Sequence, residues 1–357
     1  MKFSAQRTQL QRVAAKAVET SARVTSTPLL KYIKIHAKDA VVWFSGASDG
    51  QTVVYEGGTT HIEVSVTGSC VVPARIIGPI LAKIPKEDET LEFELDGNTL
   101  CIKFGHDTHH IVTVPEWVTP VHASGDATEC DGDALAGALA RSWAADAEPA
   151  NRVLHSVSLG DDHVVAGTRG ESVRTLGEPV LRGIALPRPA ADAVRGFAAK
   201  HETCRSTVDT NRLTLRSGFE VLTVSRAQDK YPPIASMYVV TGEPVATLPG
   251  PALTNAIKRL NPSGTLTLKF EPRVDGDTGR PAGVELRTHN DGIESIEYFD
   301  LDEGDGVRIP TAQDIGIAAS ESLAKFCAAP GDVVAYLESK CVVWKRDGAE
   351  MLSMRTA

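Results

Sequence analysis

Apolar positions along the chain follow two periods in turn. Leu10, Val13, Ala14, Ala17 and Val18 recur at i, i+3, i+4, i+7 and i+8, the stripe of an amphipathic helix, and Ser4 stands where an N-cap belongs. A second such stripe opens at Asp131 and carries Leu135, Leu139 and Trp143 on one face. A third, shorter one runs from Gly250 to the stop at Asn261-Pro262.

Another kind of helix follows a short apolar strand and a proline. It is seen in VVPARIIGPILAKIP at 71–85, in IALPRPAADAVRGFAAK around Pro187, and is expected again in VRIPTAQDIGIAASESLAKF around Pro310. After each, the apolar period drops to two. LEFELDGNTLCIKFG and HIVTVP flank an Asp96-Gly97-Asn98 turn, CRSTVDTNRLTLRSG and EVLTV turn at Asp209-Thr210-Asn211, and GDVVAYLESKCVVWKRDGAEMLSM turns at Ser339-Lys340. Strand, helix and a three-stranded meander thus occur three times.

The joins fall near Thr119-Pro120 and Thr241-Gly242-Glu243-Pro244. A period of roughly 120 residues is too long for a solenoid, so the pattern predicts three successive globular domains of one α+β fold, at 1–119, 120–243 and 244–357.

Composition bounds the class. An apolar fraction of 42% in 357 residues fills ordinary soluble cores. No run of about 18 apolar residues could span a bilayer, and the start MKFSAQRTQLQR lacks the apolar stretch of a secretory signal, so a cytoplasmic location is expected. Cys70, Cys101, Cys130, Cys204, Cys327 and Cys341 lie scattered, with no Cys-x-x-Cys pair, and read as reduced, mostly buried thiols.

The net charge of −9 argues against a generally basic coat for nucleic acid, yet the bases are not spread evenly. Arg7, Arg12 and Lys16 fall on the first helix, with Arg23 just beyond it, and Arg75 and Lys83 on the next. Arg141, then Arg188, Arg195 and Lys200, mark the middle pair, and Lys258, Arg259 and Lys325 the last. Acids dominate the loops instead: KEDE at 86–89, DGDTG at 275–279, DLDEGDG at 300–306. Helices facing one way would form a positive lining in a negative shell, suited to phosphate contact without base readout.

The MKFS start with its helix through Val18, TSTPLLKYIKI at 25–35, LPRPAADAVRGF, RAQDKYPP and the C-terminal EMLSMR, in this order and spacing, resemble the bacterial DNA polymerase III beta subunit, the sliding clamp, over essentially the whole chain. The resemblance implies a head-to-tail homodimer whose six domains close a ring, with helices lining the hole and sheets forming the wall. Duplex DNA passes through unread, and the ring tethers the polymerase. The family also implies a pocket between the second and third domains for an apolar peptide of the polymerase, clamp loader or repair proteins.

Carried over by position, the pocket wall comprises His155, Thr168, Gly170, Val173, Pro232, Met237, Cys341, Val343, Met351, Leu352, Met354 and Arg355. Methionine suits a groove with several ligands because it repacks easily. Some positions depart from the family pattern. His155, Glu171 and Ser172 replace groups that are more often apolar or basic, the chain ends Met354-Arg355-Thr356-Ala357 without a large apolar terminal residue, and EPRVDGDTGRP interrupts the third repeat. They put the usual partner peptide in question.

Catalytic chemistry finds little support. His106, His109 and His110 are the one metal-like cluster, but strand alternation sends His109 and His110 to opposite faces and no further ligand completes a site. The resemblance places this strand at the subunit contact, with Ile111 packing there. Gly167-Thr168-Arg169-Gly170 is too short for a phosphate loop, and Asp161-Asp162 and Asp300-Asp302 read as solvated turns. The expectation is a non-enzymatic protein with no cofactor. An enzyme with a pocket between domains and a structural repeat protein of an assembly stay open as alternatives.

Overall fold

A computed structural model of the chain describes residues 1–60, 62–83, 90–148, 151, 153–177, 181–232, 234–242, 244–260, 266–271, 283–290, 293–300, 313–317, 320–338 and 340–355. The first stretch runs β1 (Lys2–Gln6), α1 (Arg7–Thr20), β2 (Tyr32–Lys38), β3 (Val41–Ala47), β4 (Val53–Thr59), β5 (Glu63–Val66), β6 (Gly68–Pro73), α2 (Ala74–Lys83), β7 (Thr90–Asp96), β8 (Thr99–Phe104) and β9 (Asp107–Val112). The second runs β10 (Thr128–Asp131), α3 (Gly132–Ala138), β11 (Ser156–Leu159), β12 (His163–Gly167), β13 (Glu171–Leu176), β14 (Ile184–Pro187), α4 (Arg188–Ala198), β15 (Thr203–Val208), β16 (Arg212–Ser217) and β17 (Glu220–Ser225). The third runs β18 (Ala246–Pro249), α5 (Gly250–Leu260), β19 (Leu266–Glu271), β20 (Gly283–Asn290), β21 (Ile293–Asp300), β22 (Gln313–Ile317), α6 (Ser320–Cys327), β23 (Asp332–Leu337), β24 (Cys341–Arg346) and β25 (Ala349–Met354).

The strand-to-helix step is more general than the proline pattern suggested, for α1 through α5 each begin at the residue after a strand. Pro73, Pro187 and Pro249 end the strands before α2, α4 and α5, where a missing N–H costs the coming helix nothing. The third proline-started helix is corrected: Pro310 lies outside the described residues, the segment after it forms β22, and α6 opens only at Ser320.

Two compact units result, one of Met1–Gly137 with Pro189–Gln228, the other of Ala138–Arg188 with Asp229–Ala357. The first holds a five-stranded sheet, β5-β1-β7-β8-β9, and an eight-stranded sheet, β10-β15-β16-β17-β4-β3-β2-β6. Its core joins Leu10, Val13 and Ala17 of α1 to Phe44, Tyr55 and Ile77, and Phe3 stacks on Phe93 at 4.5 Å. A Cβ on Gly46 would stand 2.0 Å from the Ala17 carbonyl oxygen, so α1 can rest on β3 only where the strand has no side chain.

The second unit holds an eight-stranded sheet, β14-β11-β12-β13-β25-β24-β23-β18, and a four-stranded one, β21-β20-β19-β22. Helices α5 and α6 pack together, with Thr254 Oγ1 donating to the Ala324 carbonyl at 3.0 Å. Both eight-stranded sheets have the same plan: a strand and its β-meander from one repeat, joined edge to edge to the corresponding strands of the next. Of the expected meander turns, the first has Gly97 at φ of 55°, and the third falls partly outside the described residues, at Ser339. At the second, Asp209 Oδ1 accepts from Asn211 N at 2.8 Å and Arg212 N at 2.7 Å.

Local details differ from the sequence-based expectation. Ser4 is inside β1, donating to Glu63 at 3.3 Å, while Gln6 caps α1 and its N–H donates to Gln9 Oε1 at 2.9 Å. Helix α3 stops at Ala138, and Trp143 sits on a separate 3-10 turn, Ser142–Ala144. Alanine and glycine give α3 few apolar groups to bury, and the chain bends to seat Leu139, Ala144 and Ala145 instead. The acidic segments at 86–89, 275–279 and 301–306, Asn261-Pro262, nearly all of the EPRVDGDTGRP insert, Ser339 and Thr356-Ala357 lie outside the described residues.

Candidate functional site

Where β13 and β25 pair, residues alternate between two faces, and the register decides which are which. Ser172 lies opposite Leu352, and Arg174 opposite Glu350; Val343 faces Leu352 and Cys341 faces Met354 across β24 and β25. These residues share the face crossed by the Ile234–Tyr238 turn. Tyr238, Cys341, Val343 and Leu352 form a buried cluster there, against which Ile234, Val240, Tyr336 and Met354 are partly buried.

Polar contacts hold the strap over this face. Tyr238 shares a 2.6 Å hydrogen bond with Ser172 Oγ, and the Arg174 guanidinium lies 4.5 Å from the Tyr238 ring centroid. Burial raises the Tyr238 hydroxyl pKa well above the usual phenol range, so it stays a neutral donor or acceptor. Met237, 37% exposed, lies on the strap next to Tyr238.

Of the predicted pocket wall, Cys341, Val343, Leu352 and Met354 come together. Gly170 borders them, its carbonyl accepting from Met354 N at 2.8 Å, and Arg355 N donates to the Lys340 carbonyl at 3.0 Å. Thr168 lies in the turn before β13, where Thr168 N donates to the Glu171 carbonyl at 2.7 Å; the Pro232 carbonyl accepts from Ile234 N at 2.8 Å. Val173 and Met351 are corrected: paired with each other, they face the opposite side with Trp344, in the core. His155 is held by the loop before β11, its Nδ1 2.7 Å from the Asp146 carbonyl oxygen. Sequence reasoning missed Tyr238, Tyr336, Arg174 and Glu350, although alternation from Leu352 points to Glu350.

The departures at Ser172 and Glu171 have separate roles. Ser172 binds the strap, whereas Glu171 turns to the other face and accepts from Ser322 Oγ of α6. Burial pushes the Glu171 carboxyl up to about 7.

The bases divide into three groups. Arg12, Arg23, Arg75, Lys83, Arg195, Lys200, Lys258, Arg259 and Lys325 are exposed and Lys16 half-buried. Several are paired: Arg12 with Glu220, Lys16 with Glu19 at 3.0 Å, Arg195 with Asp192 at 3.8 Å and Lys325 with Glu321 at 2.7 Å. Arg23 and Arg75 rim a cavity of about 770 Å³ between α1 and α2, floored by Ala14, Val18, Gly78 and Leu81. Two are corrected. Arg7, at 9% exposure, points into the core because it opens α1 on the side that rests against the sheet. Arg141 lies past the end of α3, half-buried, and donates to Thr175 Oγ1 at 3.1 Å.

A second polar cluster ties α1 to the sheet of the first unit. Glu220, buried on β17, accepts from Tyr55 Oη at 2.9 Å and pairs with Arg12, with His201 Nε2 3.8 Å away. His109 stacks on Phe104 at 5.3 Å. Ile111 is corrected as well: it is buried in this unit's own core, and the exposed apolar residue of β9 is Val112. All six cysteines are free, Cys101 partly buried and the rest buried. Among the described residues no cluster of His, Cys, Asp and Glu could hold a metal, and no helix is long and apolar enough to cross a membrane.

No protein-family model and no curated protein matches the chain. Solved structures do. A pol III beta from Caulobacter crescentus is 17% identical with a TM-score of 0.83, covering 100% of both chains. The DNA polymerase III subunit beta from Pseudomonas aeruginosa is 15% identical with a TM-score of 0.85, again covering 100% of both. A sliding clamp (DNA polymerase III subunit beta) from Bartonella birtlesii, bound to griselimycin, is 14% identical with a TM-score of 0.86, covering 100% of this chain and 99% of that one.

Proposed function

From its sliding-clamp fold, we infer that this chain is a DNA polymerase processivity factor, a clamp of three domains, 1–119, 120–243 and 244–357, that closes as a head-to-tail homodimer around duplex DNA. One observation carries the reading: the two smaller sheets are the two halves of the plan that the larger sheets complete. In the eight-stranded sheets, β6-β2-β3-β4 meets β17-β16-β15-β10, and β14-β11-β12-β13 meets β25-β24-β23-β18. The sheets left over are β22-β19-β20-β21 and β9-β8-β7-β1, the latter extended by β5. Pairing β21 of one copy with β9 of another repeats the same junction. The contact is heterologous, and it closes when the second copy returns it.

Edge strands left open invite unwanted pairing, so a proposed partner for β9 and β21 also removes a liability.

Within the ring, Arg12, Lys16, Arg23, Arg75, Lys83, Arg195, Lys200, Lys258, Arg259 and Lys325 meet phosphates and release counterions. Such contacts hold DNA without favouring a register, so the ring can slide. The cluster of Tyr238, Cys341, Val343 and Leu352, with Met237 at its edge, receives an apolar peptide from the polymerase, clamp loader or repair proteins. No catalytic step or cofactor belongs to this role, which is exercised in the cytoplasm.

Sedimentation tests closure. The chain mass is 38.0 kDa, and at micromolar concentration the expected species is a dimer that images as a ring with a hole wide enough for duplex. Val112→Glu, placed on the open edge against the acidic β21, should shift it to monomer with its fold intact. A parent protein that stays monomeric at tens of micromolar would overturn the reading.

A further inference from the structure

The two eight-stranded sheets correspond residue by residue. Counting from the turns before β17 and β25, Arg216 takes the place of Lys345, Val221 of Glu350, Thr223 of Leu352, and Glu56 of Arg174. The first unit therefore has a cleft at the position of the apolar one in the second. It lies on the sheet face turned away from α1, beneath a strap that includes Trp117, Pro120 and His122.

Its chemistry differs. Trp117 anchors the strap, its Nε1 donating to the Tyr32 carbonyl at 3.2 Å. His122 holds it further, with Nε2 2.9 Å from Glu56 Oε2 and Nδ1 2.8 Å from Thr223 Oγ1. Glu56, which also lines the cleft, accepts from Ser45 at 3.3 Å as well, so its carboxylate is held between Ser45 and His122. A cleft of about 310 Å³ remains, walled by Trp43 and Trp117, with Lys34 and Arg216 reaching into it. Exposed Phe219 packs edge-on against Trp43 at 5.9 Å.

The missing acid is decisive. In the second unit Glu350 neutralises both Arg174 and Lys345, at 2.9 Å and 3.2 Å. Val221 stands in its place here, and among the described residues Arg216 makes no ion pair. A cation beside two tryptophans, on a chain of net charge −9, is complementary to a carboxylate carried next to an apolar side chain.

The geometry points to this cleft as a second docking site, for a short acidic peptide of a partner protein with an apolar or aromatic anchor. The anchor sits between Trp43 and Trp117, and its acidic neighbours meet Lys34 and Arg216. The kind of ligand rests on the proposed peptide role of the second unit's cleft, while the location and charge do not.

The test uses the full chain and two fluorescein-labelled peptides: an acidic one with a central Leu-Phe flanked by Glu and Asp, and a charge-free one with the same centre flanked by Gln and Ser. The acidic peptide should bind saturably by polarisation and shift tryptophan emission. Lys34→Glu with Arg216→Glu should weaken it at least tenfold, and Arg216→Gln alone by several fold, with melting unchanged. Met237→Ala should weaken the charge-free peptide and leave the acidic one unaffected, which separates failure here from failure of the apolar cleft. No saturable binding by millimolar peptide, or an affinity indifferent to Arg216→Gln, would overturn the proposal. So would an oligothymidylate that binds in its place and is displaced on charge reversal, which makes the cleft a single-strand site.

Discussion

Arg174 and Glu350 face each other across the junction of β13 and β25, the guanidinium Nε 2.9 Å from Glu350 Oε2, in a pair that is largely buried. The two residues are 176 positions apart. Their contact joins two repeats of the chain, and through the Tyr238 ring it also supports the strap over the apolar cleft.

Removing one partner should therefore be costly. Arg174→Met leaves Glu350 buried with only Lys345 beside it, and the expected loss is about 3 kcal/mol in chemical denaturation. Arg174→Met with Glu350→Met should recover much of that loss. Equal destabilisation in the single and double variants would mean that the pair is not the source of the effect.

The two faces of β25 make opposite predictions. Met351→Ala, on the core face, should destabilise by about 2 to 5 kcal/mol yet leave apolar-peptide affinity unchanged in the folded fraction. Met237→Ala on the strap should do the reverse, weakening the peptide severalfold with a melt within about 0.5 kcal/mol of the parent. Calorimetry and peptide titration on the same samples would expose an exchange of these roles.

Glu171 gives the second unit a pH dependence. Burial raises its carboxyl to about 7, partly opposed by the hydrogen bond from Ser322. The folded state then holds the proton more tightly than the unfolded state. Its contribution to stability is complete below the ordinary carboxylate range, falls as pH rises towards 7, and is lost above it. The melting difference between the parent and Glu171→Gln should widen in favour of the variant between about pH 5 and about pH 8. A constant difference would show that Glu171 titrates normally.

The helix bases separate by burial. Replacing Arg75 and Lys258 with Ala should leave stability within about 0.5 kcal/mol and lower the salt slope of DNA retention by about 0.9 for each phosphate no longer neutralised. Arg7→Ala should lower stability by roughly 1 to 3 kcal/mol instead, since its stem is packed in the core. Filter retention over a salt series, beside denaturant melts, measures both.

Much of this protein was legible in its sequence because the relevant physics is local. A helix stripe such as Leu10, Val13, Ala14, Ala17 and Val18 follows from a period of 3.6, and all but Val18 of that set are buried. The meander turns follow from residues that tolerate tight backbone, and the thrice-repeated plan follows from comparing such segments. Once β25 is recognised as a strand, alternation also requires Leu352 and Met351 to face opposite ways, although position alone placed both in one pocket.

Tertiary structure decided what depends on distant neighbours. That β4 pairs with β17, and β13 with β25, cannot be read from either strand, because an edge is satisfied equally well by any strand of suitable length. Those pairings bring Arg174 to Glu350 and set Val221 opposite Glu56, while the packing of α1 on its sheet buries Arg7 although charge and helical position suggested an open face. Composition and spacing determined which residues could form elements and where the charges fall. Long-range register determined which charges were neutralised and which were left for a partner, because pairing energy depends on the neighbour across the sheet and on its burial.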